Sequence, residues 1–249
     1  MSREPVTART LHPWRVSSRQ AGEIQESLRN QLRLEPLPFP RRLVAAADVA
    51  YSQYTHRMYA AVVVVAWPSC DIVDTVSVVR RAMFPYVPGL LSFREVPPLL
   101  AAFARLRCVP DVVVFDGQGL AHPRGVGLAC HAGLLLDIPS VGCAKSRLIG
   151  THDEVGAQKG SATALRVKGE TVGAVVRTRT RVKPVFVSPG HRADVRSAVN
   201  LVIALATRFR LPDPQRFAHQ ATVRRYQRDR DRGRPAETDR RYRNFIPRR

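Results

Sequence analysis

Residues 111–119 read DVVVFDGQG. Asp111 to Phe115 (DVVVF), four of its five residues apolar and closed by an acid and two glycines, forms the pattern of a short strand that is buried on both faces and ends in a tight turn. A strand with no polar face needs cover on both sides, so it belongs in the middle of a sheet flanked by helices, an α/β architecture. Asp116 then stands at the carboxyl end of that strand, where open α/β sheets assemble their sites. Gly117 and Gly119 let a backbone approach a flat ligand closely. The turn is not a dinucleotide fingerprint, because Leu120-Ala121-His122 follows where a third glycine belongs.

Downstream of this strand, Val126–Leu136 reads as a helix and Ser140–Ala144 as a strand. Thr171–Val176 and Val185–Val187 read as further strands. Ala193–Thr207 is a helix, with Val195, Val199, Val202, Ile203 and Ala206 at helical spacing. Upstream, Leu43–Ala50, Ala60–Trp67 and Ile72–Val79 are short apolar runs separated by turn residues, hence antiparallel neighbours. The loop Phe84 to Ser92 (FPYVPGLLS) precedes a helix over Val96–Arg107. Ser17–Arg33 is a serine-capped helix with Ile24, Leu28 and Leu32 on one side. Pro36, Pro38 and Pro40 after it force an extended linker. An antiparallel start followed by strand–helix alternation predicts one α/β domain with a mixed sheet. Its expected limits are residues 17–222, with a loose arm over 1–16 and a disordered basic tail over 223–249.

The 249 residues carry 40 basic and 20 acidic side chains, a net charge of +20. A field of that sign draws phosphate polymers. Two other readings stay open. Only Lys145, Lys159, Lys168 and Lys183 are lysines, so an arginine-rich coding bias inflates the count, and a basic chain also suits an anionic membrane surface. From Arg224 onward, 11 arginines face four acids, a net of +7, which fits a solvated tail as well as a phosphate-binding one. Cys70, Cys108, Cys130 and Cys143 match no zinc spacing and read as thiols in a reducing compartment. The opening MSREPVTART lacks an apolar signal region, and no apolar run reaches the roughly 20 residues of a spanning helix. A cytoplasmic location is expected.

Phosphate-ester chemistry at neutral pH calls for acids that hold a divalent cation. Asp48 interrupts the apolar run LVAAADVAY, where a buried carboxylate is costly without a partner. Asp116 ends its strand. Glu95 follows the proline loop. It also stands three residues after Ser92, so a capping box is its structural alternative, one that Pro97 and Pro98 weaken by withholding backbone donors. For Asp48 and Asp116 the alternative is a paired structural acid. Lys145, just after a strand, is either a surface charge or a counter-charge to a phosphate. His122, His131, His191 and His219 taken singly read as structural.

The segments PYVPGLLSFRE (85–95), VVFDGQGLAHPRGVGLACHAGLLLDIPSVGCAKSRL (113–148), VSPGHR (187–192) and LPDPQRFAH (211–219) resemble the endonuclease V family, over about residues 18–220. The resemblance implies a ribonuclease-H-like fold and a DNA repair enzyme for deaminated bases, chiefly hypoxanthine. It would cut the second phosphodiester on the 3′ side and leave a 3′-hydroxyl and a 5′-phosphate. Asp48, Glu95 and Asp116 are then expected to hold Mg2+, or Mn2+ in its place, with Lys145 by the scissile phosphate and His219 completing the catalytic set. Tyr86 matches the family's wedge residue. Gly89, Leu91, Gly117, Gly119, Leu128 and Leu148 match its base pocket. Gln118 stands where many relatives have histidine, and His219 where they have either aspartate or histidine. His191 is a weaker candidate. The expected partner is damaged DNA, met as a monomer. Inosine-containing RNA is the rival substrate, and a non-catalytic nucleic-acid-binding protein the rival function.

Overall fold

The structure is a computed structural model that describes residues 6–38, 42–52 and 55–231. Among these residues the elements run α1 (Ser18–Arg29), β1 (Leu43–Tyr51), β2 (Arg57–Ala66), β3 (Ile72–Arg81), α2 (Leu91–Phe103), β4 (Val112–Phe115), α3 (Leu128–Leu136), β5 (Ser140–Ala144), β6 (Ala162–Val167), β7 (Glu170–Val176), β8 (Val185–Pro189), α4 (Val195–Leu205) and α5 (Asp213–Asp231). The strands form one sheet ordered β3-β2-β1-β4-β5-β8-β7-β6. β1, β4 and β5 are parallel to one another, and the remaining pairings are antiparallel. This is the ribonuclease-H-like arrangement.

Alternation along β1 and β4 sorts the core into two layers. Ala45, Ala47, Val113 and Phe115 face one side, under Val96, Leu99 and Phe103 of α2 and Leu135 of α3. Val44, Ala46, Val112 and Val114 face the other, under Leu201 and Leu205 of α4 and Ala218 and Ala221 of α5. All four β4 residues are fully buried, as their unbroken apolar run requires.

The first helix is shorter than its predicted span, ending at Arg29, and starts from a capping box between Ser17 and Gln20. α2 begins at Leu91 rather than Val96. It runs through Pro97 and Pro98, which supply no hydrogen bond, because Val96, Leu99, Ala102 and Phe103 are all fully buried. Glu95 is therefore a helical residue. The capping box proposed for it does not form: no side chain caps α2, and Ser92 Oγ instead meets His131 Nδ1 at 2.9 Å.

Two expectations about the ends are corrected. The arm is not loose from residue 6 onward. Val6 lies in the core, Arg9 N–H donates to the Leu135 carbonyl at 2.6 Å, and Trp14 stacks on His131 at 5.5 Å. The tail does not begin at 223 either, since α5 continues to Asp231. That helix escapes periodicity because its buried side is small and polar: Gln215, Ala218, Ala221, Thr222 and Asp229. Each polar member has a tertiary partner, such as the Cys143 carbonyl, which accepts from Gln215 Nε2 at 2.9 Å. Residues 232–249 lie outside the described residues, as do 1–5 and Pro40. β6 also went unpredicted. All four cysteines are free, and no helix among the described residues is long and apolar enough to cross a membrane.

The DGQG turn is threaded between backbones. A Cβ on Gly119 would sit 2.1 Å from the Pro189 carbonyl oxygen of β8, and one on Gly142 of β5 would sit 2.5 Å from Gly119 N. Backbone cannot yield as a side-chain tip can. Gly119→Ala is therefore expected to destabilise the protein by at least about 2 kcal/mol, seen as a lower denaturation midpoint. A midpoint within error of the wild type would mean the turn has slack that this packing denies.

Candidate active site

Register brings the first two acids together. β1 and β4 pair in parallel through Ala47↔Phe115, and Asp116 N–H donates to the Ala47 carbonyl at 3.3 Å. Asp48 and Asp116 are the next residues along, on neighbouring strands about 4.8 Å apart. Both fall on the α5 side of the sheet, by alternation from Ala46 and Val114. Lys145 follows β5, the third parallel strand, and its Nζ lies 2.5 Å from Asp116 Oδ2. The carboxyl ends of three parallel strands thus present two acids and one lysine at a single edge of the fold.

Glu95 comes from the opposite helical layer, on the first turns of α2. It is buried, and its carboxyl is pushed up to about 8, chiefly by burial and then by the charges of Asp48 and Asp116, with Arg94 opposing. Asp116 is also raised by burial and by Asp48, with Lys145 and His219 opposing. α5 supplies the last contacts. His219 Nδ1 lies 3.2 Å from Asp48 Oδ2, and Thr222 Oγ1 donates to the same oxygen at 2.9 Å. Residues three apart share a helix face, so both reach one carboxylate. The contact through Nδ1 leaves Nε2 turned away from the Asp48 carboxylate.

The five residues Asp48, Glu95, Asp116, Lys145 and His219 are therefore brought together from three strands of the sheet and two helices. Comparison with known proteins gives this cluster a family. The family model described as Endonuclease V matches residues 26–220. The chain belongs to the endonuclease V family. It is 49% identical over 207 residues to the endonuclease V of Roseiflexus castenholzii, covering 83% of this chain and 92% of that one. The crystal structure of Streptomyces avermitilis endonuclease V superposes with a TM-score of 0.84 at 39% identity, covering 90% of this chain and 99% of that one. A Ciona intestinalis endonuclease V, in complex with a 24mer DNA containing an inosine followed by a ribo-adenosine, superposes with a TM-score of 0.75 at 26% identity. That match covers 84% of this chain and 98% of the Ciona chain.

The residues that the resemblance assigns to a base pocket lie on the loop before α2 and the first turn of that helix, the turn after β4, the start of α3 and the loop after β5. Val87–Leu90 is a tight turn closed by Leu90 N–H on the Val87 carbonyl, with Gly89 at φ +77°. The Gly89 carbonyl accepts from Arg124 at 2.7 Å and from His122 Nε2 at 3.0 Å, so His122 is a structural donor. Tyr86 lies half-exposed on this loop, and Leu91 opens α2 one turn before Glu95. Gly117 directly follows Asp116 and packs on Leu128, where a Cβ would lie 3.1 Å from Leu128 Cδ2. Gly119 is locked against β8. Leu128 is buried, whereas Leu148 is half-exposed on the loop after Lys145.

Two contributors, Thr222 and Arg210, escaped the sequence reading, and Gln118, marked there as a departure from many relatives, takes a definite place. Thr222 was visible only as the residue three after His219. Gln118 Nε2 donates to the Ser146 carbonyl at 3.0 Å, and Arg210 donates to the Lys145 carbonyl at 2.6 Å, so two side chains clamp the lysine's backbone. His191 belongs to the scaffold: its N–H donates to Ser140 Oγ at 2.8 Å and its Nε2 pairs with Asp137 at 3.3 Å.

The donor set suits a hard divalent cation. The acids offer oxygen ligands, and the Glu95 carboxyl is pushed up by burial first and by Asp48 and Asp116 second, a crowding of negative charge that a cation relieves. Among the described residues no three acid, histidine or cysteine side chains stand in ligating geometry. Asp116 leans on Lys145, and Asp48 on Thr222 and His219.

Proposed function

We propose that this protein is a Mg2+-dependent DNA repair endonuclease, with Mn2+ able to substitute. On this reading it recognises hypoxanthine and hydrolyses the second phosphodiester 3′ to it, leaving a 3′-hydroxyl and a 5′-phosphate. The observation that carries the reading is the convergence of Asp48, Glu95 and Asp116 beside Lys145, with Tyr86 and Gly89 on the loop that leads into the helix of Glu95 and Gly117 next to Asp116. The Ciona relative's complex with inosine-containing DNA supports the choice of lesion.

Asp48, Glu95 and Asp116 would hold the cation, which supplies an acidified water and a Lewis acid at the phosphate. Lys145, kept near the carboxylates by Asp116 and by its clamped backbone, offsets charge on the scissile phosphate. His219 keeps Nδ1–H on Asp48, leaving Nε2 to orient a water or accept its proton. Tyr86 fills the gap left by an everted base, recovering part of an unstacking cost of a few kcal/mol. The glycines admit the base edge, and Leu91, Leu128 and Leu148 give it apolar walls.

A strand-cleavage assay on duplex DNA with a single inosine, with and without Mg2+, tests this directly. One Mg2+-dependent nick at the second phosphodiester 3′ of inosine is expected. Binding without nicking would leave only a nucleic-acid-binding protein. Because the inosine in the Ciona complex is followed by a ribo-adenosine, a matched inosine RNA strand belongs in the same assay, and faster cleavage of it would make RNA the substrate. Tyr86→Ala is expected to lower the preference for inosine over undamaged duplex about tenfold or more while nicking persists. An unchanged preference would remove Tyr86 from lesion recognition.

A further inference from the structure

The family match stops at residue 220, yet α5 continues to Asp231. The fold anchors this extension deliberately. Asp229 is buried, and its Oδ2 accepts from Arg57 at 2.7 Å and from the Tyr59 hydroxyl at 3.0 Å. The Tyr226 ring meets the Tyr59 ring edge-on at 5.3 Å. An unanchored, polar helix end frays. This one is instead held to β2 by an ion pair and an aromatic contact.

What the anchor displays is positive charge. Residues 221–231 contain Arg224, Arg225, Arg228 and Arg230 against Asp229 and Asp231. Asp229 is committed to Arg57, and Asp231 pairs with Arg230 at 3.3 Å. Arg224 and Arg228 are exposed and make no ion pair among the described residues. They stand one turn apart on one face, about 6 Å along the axis. They lie about 8 and 14 Å along the helix axis from His219 and roughly 140° and 180° round it, on the solvent side of α5 turned away from Asp48. A backbone carrying one phosphate per strand every ~3.4 Å offers separate partners to both.

We propose that the α5 extension is a second, lesion-independent contact, in which Arg224 and Arg228 grip backbone phosphates of DNA that passes the solvent side of this helix, away from the carboxylates. The proposal rests on the nuclease reading for its partner and adds to it a docking surface beyond the stretch that the family model matches. Affinity there is electrostatic and blind to sequence, so its signature is salt dependence.

The test measures binding of the full chain to an undamaged 30-base-pair duplex over a range of KCl concentrations. The double variant Arg224→Gln/Arg228→Gln is expected to flatten the slope of log K against log salt by about 2, near 0.9 per lost contact. Arg224→Lys/Arg228→Lys keeps the charge and should keep the slope. An unchanged slope in the glutamine variant overturns the proposal. So does an equal drop in the lysine variant, which would mean a disturbed helix. If the glutamine variant loses binding to phosphatidylserine vesicles while its DNA slope stays intact, the partner is a membrane and the proposal fails. Inosine cleavage by the wild type is scored separately. Its absence sinks the nuclease reading and leaves the slope to decide this surface alone.

Discussion

Asp116→Ala is expected to lower the Mg2+-dependent nicking of inosine DNA by at least about a thousandfold, since several kcal/mol of charge stabilisation at the phosphate depend on the cation's seat. Asp116 does two things. On the proposed reading it offers oxygen to the cation, and in the structure it holds Lys145 Nζ at 2.5 Å. Lys145→Ala separates them: it removes the counter-charge but leaves all three acids, so it should cost less than the loss of Asp116 and should not shift the Mg2+ concentration required. Asp116→Asn keeps the shape and the lysine's neighbour while removing the charge, and should be nearly as inactive as alanine. If Asp116→Ala nicks at the wild-type rate, the cation assignment is wrong. Far-ultraviolet circular dichroism of each variant guards against misfolding, because Asp116 directly follows β4 and its side chain is largely buried.

Glu95→Gln is expected to abolish nicking yet stabilise the cation-free protein at high pH. The native carboxyl titrates near 8 and an ordinary glutamate near 4.5. Between those values the native state holds a proton that the unfolded chain has released, so stability falls as pH rises through the window. The penalty is absent below about pH 4.5 and complete above 8, and amounts to up to about 5 kcal/mol for a shift of that size. Glutamine is neutral throughout. Thermal melts without divalent cation should therefore coincide near pH 4.5 and separate by several degrees at pH 9, with the variant higher. Adding Mg2+ should raise the wild type and leave the variant unmoved, since binding favours the native state only where the ligands exist. A wild type as stable as the variant at pH 9 without Mg2+ would mean that Glu95 is not crowded by Asp48 and Asp116.

How much of this was legible beforehand differs by element. β4 and β5 were read within a residue because a strand buried on both faces writes itself as an unbroken apolar run. The start of α2 was missed because Pro97 and Pro98 argue locally against a helix, and only the burial of Val96, Leu99 and Phe103 overrides them. α5 was missed for a related reason. Its inward side is written in alanine, glutamine, threonine and aspartate, whose value depends on partners elsewhere: the Cys143 carbonyl, Asp48 and Arg57. The arm reads as loose for want of a period, although Val6 and Trp14 find apolar neighbours more than a hundred residues away.

Asp48 and Asp116 could be picked out from the sequence because each breaks or ends an apolar run, an expense that asks for a purpose. The family motifs, too, were complete in the order of residues. What the order could not give is adjacency. Parallel register sets Asp48 beside Asp116, the crossing of α2 over the strand ends delivers Glu95 from the other layer, and α5 folds back to lay His219 and Thr222 on one carboxylate oxygen. Chain sequence determines which groups are chemically able to act, because that is a property of each residue and its nearest neighbours. Their distances, and hence the raised carboxyl of Glu95 and the lysine held by Asp116, come only from packing, since charges influence one another through space and not along the chain.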